Sequence, residues 1–169
     1  IFAGFADHYI PELMWKELSE KLVHTGDTDL VLHAAEPANG GTFETQLEEI
    51  NALFGGETLS DILTDLRNAS SDFASETLKM IGRTSPLSAA CTVEMMHRLR
   101  GPALNMEKAL DLEYRFTHRA SEHGDFLEGI RAAIIDKDRA PKWQYASKDV
   151  PLAAVAKMLQ PLGAQALKL

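Results

Sequence analysis

The chain has 169 residues, 45% of them hydrophobic and 25% charged, which is enough for one domain with a core of its own. Its net charge of −8 argues against nucleic acid as the main partner, because phosphate binding requires an excess of Lys and Arg on one face. The sequence has no apolar stretch of membrane length and no leader-like N-terminal segment, so we expect no membrane partner and a cytoplasmic location.

Hydrophobic periodicity and capping residues predict an all-α chain of roughly seven helices, with at most one short strand. Residues 5–10 alternate weakly and account for the strand. Pro11 suits the first turn of the helix that follows, which stops at Gly26. A short helical turn is predicted within 29–36. The other predicted helices are 42–54, 58–66, 71–81, 85–100, 105–123, one that opens at Asp125, and 151–160.

On the long helix 105–123, Glu113 falls inside a wide apolar arc. A carboxylate buried alone is strongly unfavourable, so we expect Glu113 to be paired. Arg115 cannot easily reach the same face, and the preferred partner is therefore Arg131, on the helix that opens at Asp125. Such a pair acts as a tether between helices or, alternatively, takes part in binding.

Two further patterns bear on chemistry. Glu94-Met-Met-His97 has the spacing that di-iron helical bundles use, but the sequence contains no second copy, so we predict no metal site.

Cys91, the single cysteine, has small apolar neighbours, and we interpret it as a packed core thiol rather than a nucleophile. A lone cysteine also excludes an internal disulfide and is compatible with a reducing compartment.

Residues 125–143 form the most informative stretch of the chain. Asp125 and Glu128 predict a capping pair at the start of a helix. The helix ends in alternating charges over 136–139, followed by a Pro-Lys-Trp segment at 141–143. Helix, charged run, proline and aromatic residue in this order resemble the C-terminal signature of 3-hydroxyisobutyryl-CoA hydrolases, a branch of the enoyl-CoA hydratase/isomerase (crotonase) superfamily.

Other segments carry the same resemblance, in the same order as in that family. They are Ala3-Gly-Phe-Ala-Asp-His-Tyr-Ile10, Phe73-Ala-x-x-Thr-Leu-x-x-Ile81, Ser85-Pro86-Leu-Ser88 and Glu113-Tyr-Arg115. The resemblance implies that residues 1–26 are the last strand and first helix of a crotonase core, and that residues 27–169 are its C-terminal helical region. Since the chain begins with Ile1 rather than methionine, we expect the natural protein to start further upstream.

The resemblance implies hydrolysis of an acyl-CoA thioester, in valine catabolism, by the full-length enzyme, with no cofactor besides the acyl-CoA substrate. The oxyanion hole and acidic side chains of this family come from upstream segments, so we assign no catalytic residue and expect this chain alone to be inactive. The alternatives are enoyl-CoA hydratase/isomerase activity in the full-length protein and a non-enzymatic helical interaction module. Helices that cover a β-rich core expose apolar residues without it, so we expect a homo-oligomer.

The resemblance also indicates a ligand for a cluster of basic side chains. CoA carries a phosphorylated ADP moiety, a compact polyanion that favours several Lys or Arg side chains and an aromatic edge. The cluster consists of Lys137, Arg139, Lys142 and Lys148, and the candidate contacts to this nucleotide are Lys137, Arg139 and Lys142. Trp143 or Tyr145 supplies the aromatic edge. The alternative is a solvated surface loop, because the interleaved Asp136 and Asp138 reduce the local positive field.

Overall fold

The computed structural model describes residues 1–101, 104–146 and 149–168, and its regular structure in these ranges is helical. The α-helices of the described residues are α1 (Glu12–Thr25), α2 (Asp29–Ala34), α3 (Thr42–Thr45), α4 (Leu47–Leu53), α5 (Leu59–Asn68), α6 (Asp72–Ile81), α7 (Pro86–Arg98), α8 (Met106–His123), α9 (Phe126–Ile130) and α10 (Leu152–Leu159). A π-helical turn, Arg131–Ile135, continues α9, and a 3₁₀ turn, Gly163–Gln165, follows α10. The all-α prediction is confirmed.

The chain divides into two compact units, Ile1–Asn51 and Ala52–Leu169. The family resemblance implies a different division, into residues 1–26 and 27–169. That division says which part of a crotonase fold each segment belongs to, not which residues form a compact unit, and it stays a prediction.

In the first unit, α1 packs against α2. The short strand predicted before α1 is reduced to one antiparallel bridge, in which the Glu36 N–H donates to the Tyr9 carbonyl oxygen over 2.9 Å. Helix α1 is followed, as predicted, by Gly26, whose φ of 68° lets its N–H bond a carbonyl one turn back. The structure describes this unit in full, and Ala34 is its one buried residue.

The second unit contains two clusters of buried apolar side chains. The first core cluster is Leu59, Leu63, Leu87, Ala90, Cys91, Val155, Met158 and Leu159. The second core cluster is Leu53, Ile62, Leu66 and Ala74. Helix α5 contributes to both, because its apolar positions recur three and four residues apart and therefore share one face. Helix α10 packs on α7 and α8 around the first cluster.

Cys91 lies in the first core cluster with none of its surface exposed. Burial raises the pKa of the Cys91 thiol to about 12. Reactive cysteines instead have a lowered pKa and some exposure. The interpretation of Cys91 as a packed core thiol is confirmed.

The predicted starts of α5 to α8 carry side-chain capping bonds, which satisfy N–H groups that have no partner within the helix. The Thr58 hydroxyl accepts from the Asp61 N–H over 3.2 Å, and the Ser71 hydroxyl accepts from the Ala74 N–H over 3.1 Å. The Ser85 hydroxyl accepts from the Ser88 N–H over 3.1 Å, and the Asn105 side-chain oxygen accepts from the Lys108 N–H over 2.9 Å. At α5 the pairing is reciprocal, because the Asp61 carboxylate also accepts from the Thr58 N–H over 3.0 Å.

Two predicted features of the helices are wrong. The helix predicted for 42–54 is interrupted at Gln46, whose backbone leaves the helical region with φ −100° and ψ 2°. Glu113 is exposed and is not paired with Arg131. The buried side chains of α8 are Leu112 and Arg119, two turns apart, so the inward face of the helix lies to one side of Glu113.

Arginine side chains converge on the C-terminal end of α10, where the last carbonyl groups lack partners within the helix. Arg119 is buried and donates to the carbonyl oxygens of Met158, Gln160 and Pro161 over 3.0, 2.7 and 3.2 Å. Arg115 donates to a fourth carbonyl of the same end over 3.2 Å. A cation at the negative end of a helix dipole is favourable, so Arg119 and Arg115 join α8 to α10.

Candidate functional site

The candidate site is the charged loop, residues 136–142, which follows the π-helical turn. The guanidinium of Arg131 bonds to several residues of this loop. Arg131 donates to both carboxylate oxygens of Glu128, over 2.9 and 2.8 Å, and to the carboxylates of Asp136 and Asp138, over 2.6 and 2.8 Å. A fifth bond runs from Arg131 to the Ala140 carbonyl oxygen over 3.2 Å. Arg131 therefore links α9, through Glu128, to both aspartates of the charged loop.

The backbone of the charged loop has an unusual conformation. Lys137 and Arg139 have φ values of 56° and 53°, in the left-handed region that residues other than glycine rarely adopt. Backbone bonds fix the loop in this form. The Asp136 N–H donates to the Arg131 carbonyl over 2.8 Å, and the Arg139 N–H donates to the Ala132 carbonyl over 3.0 Å. The surrounding contacts thus maintain a conformation that the residues do not favour by themselves.

Glu128 connects the two ends of the charged loop. Besides its two bonds from Arg131, its carboxylate accepts from the Lys142 N–H over 2.6 Å. The hydrogen bonds from Arg131, followed by the one from the Lys142 backbone, lower the pKa of Glu128 to about 2. The Ala140 N–H and then the Arg131 guanidinium hold the pKa of the Asp138 carboxyl below its ordinary value. Both carboxylates are therefore charged at neutral pH.

The capping pair predicted for Asp125 and Glu128 does not form. Asp125 makes no side-chain cap to α9. Its carboxylate is buried and instead accepts from the Ser85 hydroxyl over 2.6 Å and from the Gln144 N–H over 3.0 Å. The partners of Asp125 lie far away in the chain, and Glu128 is held by Arg131. Asp125 therefore joins the start of α7 to the segment that follows the charged loop.

The three basic side chains of the charged loop, Lys137, Arg139 and Lys142, are exposed. In the part of the chain that the structure describes, none of them forms an ion pair. The aspartates that precede Lys137 and Arg139 bond to Arg131 instead. The predicted cluster of cations is thus brought together in one loop, and contact with a ligand stays a prediction. Lys148, the fourth predicted member, lies outside the described residues.

Of the two aromatic candidates, Trp143 borders a cavity and Tyr145 packs against the first core cluster. The cavity has a volume of about 300 Å³, and Phe116 and Ile130 line it together with Trp143. Its lining also includes Ser85 and Asp125, which bond to each other. An apolar cavity therefore lies beside the charged loop.

In the Glu94-x-x-His97 pattern, Glu94 has a structural partner. Glu94 accepts from Arg98, one turn later on α7, over 2.7 Å. Within residues 1–101, 104–146 and 149–168, no three His, Cys, Asp or Glu side chains are grouped to hold a metal ion. No helix of these residues is both long enough and apolar enough to cross a membrane.

Comparison with known proteins places this arrangement in a family. The model of the enoyl-CoA hydratase/isomerase family matches residues 1–159. The mitochondrial 3-hydroxyisobutyryl-CoA hydrolase of Mus musculus is 33% identical over 178 aligned positions, which cover 98% of this chain and 46% of that protein. The corresponding protein of Rattus norvegicus is 38% identical over 127 positions, 75% of this chain and 32% of the relative.

Solved structures give the same result. A crystal structure of an enoyl-CoA hydratase from Rhodobacter sphaeroides 2.4.1 matches with a TM-score of 0.89 and 46% identity, covering 100% of this chain and 49% of that one. A carnitinyl-CoA dehydratase from Mycobacterium thermoresistibile matches with a TM-score of 0.82 and 28% identity, covering 94% and 46%. The chain thus spans about half the length of these relatives, and its helices correspond to the C-terminal helical region of a crotonase fold. The chain belongs to the enoyl-CoA hydratase/isomerase family of the crotonase superfamily.

Proposed function

We propose that this chain is the C-terminal helical part of an acyl-CoA-processing enzyme, and that the reaction is thioester hydrolysis of the 3-hydroxyisobutyryl-CoA hydrolase type. The observation that carries the proposal is the 33% identity to the mouse hydrolase over 98% of this chain. Because the chain corresponds to 46% of that relative, the proposal assigns the reacting groups to an upstream half.

The acidic side chains of the candidate site support a role in binding rather than in proton transfer. Thioester hydrolysis requires donors that stabilise an oxyanion and a base that activates water. Asp125 is buried between Ser85 and Gln144, and Glu128 is bonded to Arg131. With a pKa of about 2, Glu128 is also too weak a base at neutral pH. The proposal therefore includes no catalytic residue in this chain.

The charged loop is the proposed contact to the nucleotide of CoA. Lys137, Arg139 and Lys142 are exposed and unpaired among the described residues, so they are open to phosphate oxygens. Charge-assisted bonds from Lys and Arg to phosphate are among the stronger hydrogen bonds in proteins. Trp143, which lines the adjacent cavity, offers an aromatic face or edge to the adenine.

An assay of a longer form of the protein, which includes these residues and an upstream half, tests the proposed reaction. We expect it to release the CoA thiol from 3-hydroxyisobutyryl-CoA and to leave crotonyl-CoA unhydrated. Hydration of crotonyl-CoA without thioester cleavage would instead support the second candidate, an enoyl-CoA hydratase, which the 46% identity to the Rhodobacter sphaeroides structure favours. Absence of both activities would leave the non-enzymatic interaction module.

Self-association is a further part of the proposal. Several large apolar side chains between residues 73 and 123 are exposed, namely Met80, Met96, Leu104, Met106 and Leu110. Exposed apolar surface of this kind is commonly covered by another copy or domain. We expect sedimentation at micromolar concentration to show a homo-oligomer, and a strict monomer would contradict this.

The cytoplasmic location also remains a proposal, although the names of the hydrolase relatives place those proteins in mitochondria. Fractionation of the source cells, followed by detection of the protein, would test it.

A further inference from the structure

We propose that Arg131 is the positioning residue of the CoA-nucleotide contact, because it binds the aspartates of the charged loop and so leaves Lys137, Arg139 and Lys142 available to phosphate. This inference rests on the proposed function, since it takes the ligand of the loop to be the phosphates of CoA. It assigns to Arg131 no contact with the ligand itself.

Arg131 changes the distribution of charge in the loop. In the sequence, an aspartate adjoins each of the first two cations of the charged loop, so a freely moving loop offers a polyanion little net attraction. In the structure, the Arg131 guanidinium binds Asp136 and Asp138 over 2.6 and 2.8 Å. Both carboxylates, although exposed to solvent, are thereby held against one half-buried cation. In the folded chain, Asp136 and Asp138 therefore pair with Arg131 rather than with the cations next to them in the sequence.

Arg131 also holds the backbone of the charged loop. Lys137 and Arg139 adopt left-handed conformations, which cost free energy in residues with a Cβ atom. Three contacts of Arg131 fall on either side of them, at Asp136, at Asp138 and at the Ala140 carbonyl. Without these contacts we expect the loop to relax to ordinary backbone angles. Its basic side chains would then lose their fixed spacing.

Lysine is the informative substitution at this position. It keeps the positive charge, but its single ammonium group cannot span the five acceptors that the planar guanidinium reaches. Arg131→Lys therefore changes the geometry of the loop at constant net charge. An effect on CoA binding cannot then be attributed to the loss of a charge.

Limited digestion with trypsin measures the state of the loop without any ligand. In the native chain we expect the bonds after Lys137, Arg139 and Lys142 to resist cleavage. In R131K trypsin should cut these bonds at least about tenfold faster. A factor of this size corresponds to the free energy of one lost charge-assisted hydrogen bond. Cleavage after Lys157 in α10 serves as the control, because it reports unfolding of the whole second unit. Equal rates of loop cleavage in the two proteins would overturn the inference.

Titration calorimetry on the full chain then tests the link to the ligand, with CoA and pantetheine as probes, because pantetheine lacks the nucleotide. We expect the native chain to bind CoA more tightly than pantetheine, and we expect this ratio of affinities to fall about tenfold in R131K and in K137A/R139A/K142A. Lys16→Ala, which removes an exposed charge from the first unit, should leave the preference unchanged.

The outcomes separate the two proposals. If the native chain does not prefer CoA, the nucleotide contact in the proposed function is wrong, and the inference fails with it. If the triple variant loses the preference while R131K keeps it, the contact is correct and the positioning role of Arg131 alone is wrong.

Discussion

The buried bond between Ser85 and Asp125 provides the sharpest test of how the second unit is held together. Ser85 has two roles, because its hydroxyl accepts from the Ser88 N–H over 3.1 Å and donates to the Asp125 carboxylate over 2.6 Å. Loss of a serine cap costs about 1 kcal/mol. Loss of a buried hydrogen bond to a charged group costs about 1.5–3 kcal/mol. We therefore expect Ser85→Ala to lower the free energy of unfolding by about 3 kcal/mol.

Ser71 supplies a matched control. It caps α6 through a bond to the Ala74 N–H of the same length, 3.1 Å, and in the described residues its side chain has no acidic partner. Ser71→Ala should therefore cost only about 1 kcal/mol. Urea unfolding followed by circular dichroism measures both changes. The difference between the two variants isolates the bond to Asp125.

A double-mutant cycle completes the test. In an Asp125→Ala background, which leaves the Ser85 hydroxyl no side-chain acceptor at position 125, Ser85→Ala should cost about as much as the cap alone, roughly 1 kcal/mol. Equal destabilisation by Ser85→Ala and Ser71→Ala in the native background would refute the reasoning, because the buried bond would then contribute nothing.

Three further results are expected. Arg119→Met should lower the free energy of unfolding by about 2–4 kcal/mol in urea titrations, because three carbonyl groups lose a buried donor, and a loss below about 0.5 kcal/mol would contradict this role. A thiol reagent should label Cys91 only as fast as the second unit unfolds, since burial raises its pKa to about 12, and immediate labelling of the native protein would be inconsistent with a core thiol. The pKa of Glu128 is depressed from 4.5 to about 2 in the folded chain, so its stabilising contribution is present above its unfolded pKa and is lost as the pH falls towards 2. The difference in urea midpoint between native protein and Glu128→Gln should accordingly shrink below about pH 5 and vanish near pH 2, and a constant difference would rule out the linkage.

The sequence predicts those parts of the fold that depend on local spacing. Helix α5 is an example, because Thr58 and Asp61 form the expected capping box and the apolar residues at 59, 62, 63 and 66 are buried. Ser71, Ser85 and Asn105 are likewise found as caps. Caps and amphipathic faces involve residues three or four positions apart, so the sequence contains most of what determines them.

The sequence does not predict the partners that tertiary structure brings together. Asp125 is placed correctly before α9, but its hydroxyl partner lies 40 residues earlier, at Ser85. Arg131 is recognised as a pairing residue but assigned to Glu113, although Glu128 stands three residues before it on the same helix. That i,i+3 spacing is the signal that could have found the correct pair.

The candidate site shows the same division between local and tertiary information. Lys137, Arg139 and Lys142 lie within six residues, so their presence in one loop follows from the sequence. The separation of these cations from Asp136 and Asp138 does not, because it depends on the π-helical turn and on the position of Arg131. Spacing alone cannot indicate which of several adjacent charged side chains pairs with Arg131.

The central proposal is that these helices bind and cover an acyl-CoA substrate while the reacting groups lie elsewhere in the enzyme. The most direct measurement is the rate of thiol release from 3-hydroxyisobutyryl-CoA with increasing amounts of this chain, and with a longer form as the positive control. The account predicts no release above the uncatalysed rate for this chain at any concentration. Release that rises in proportion to the concentration of the chain would contradict it.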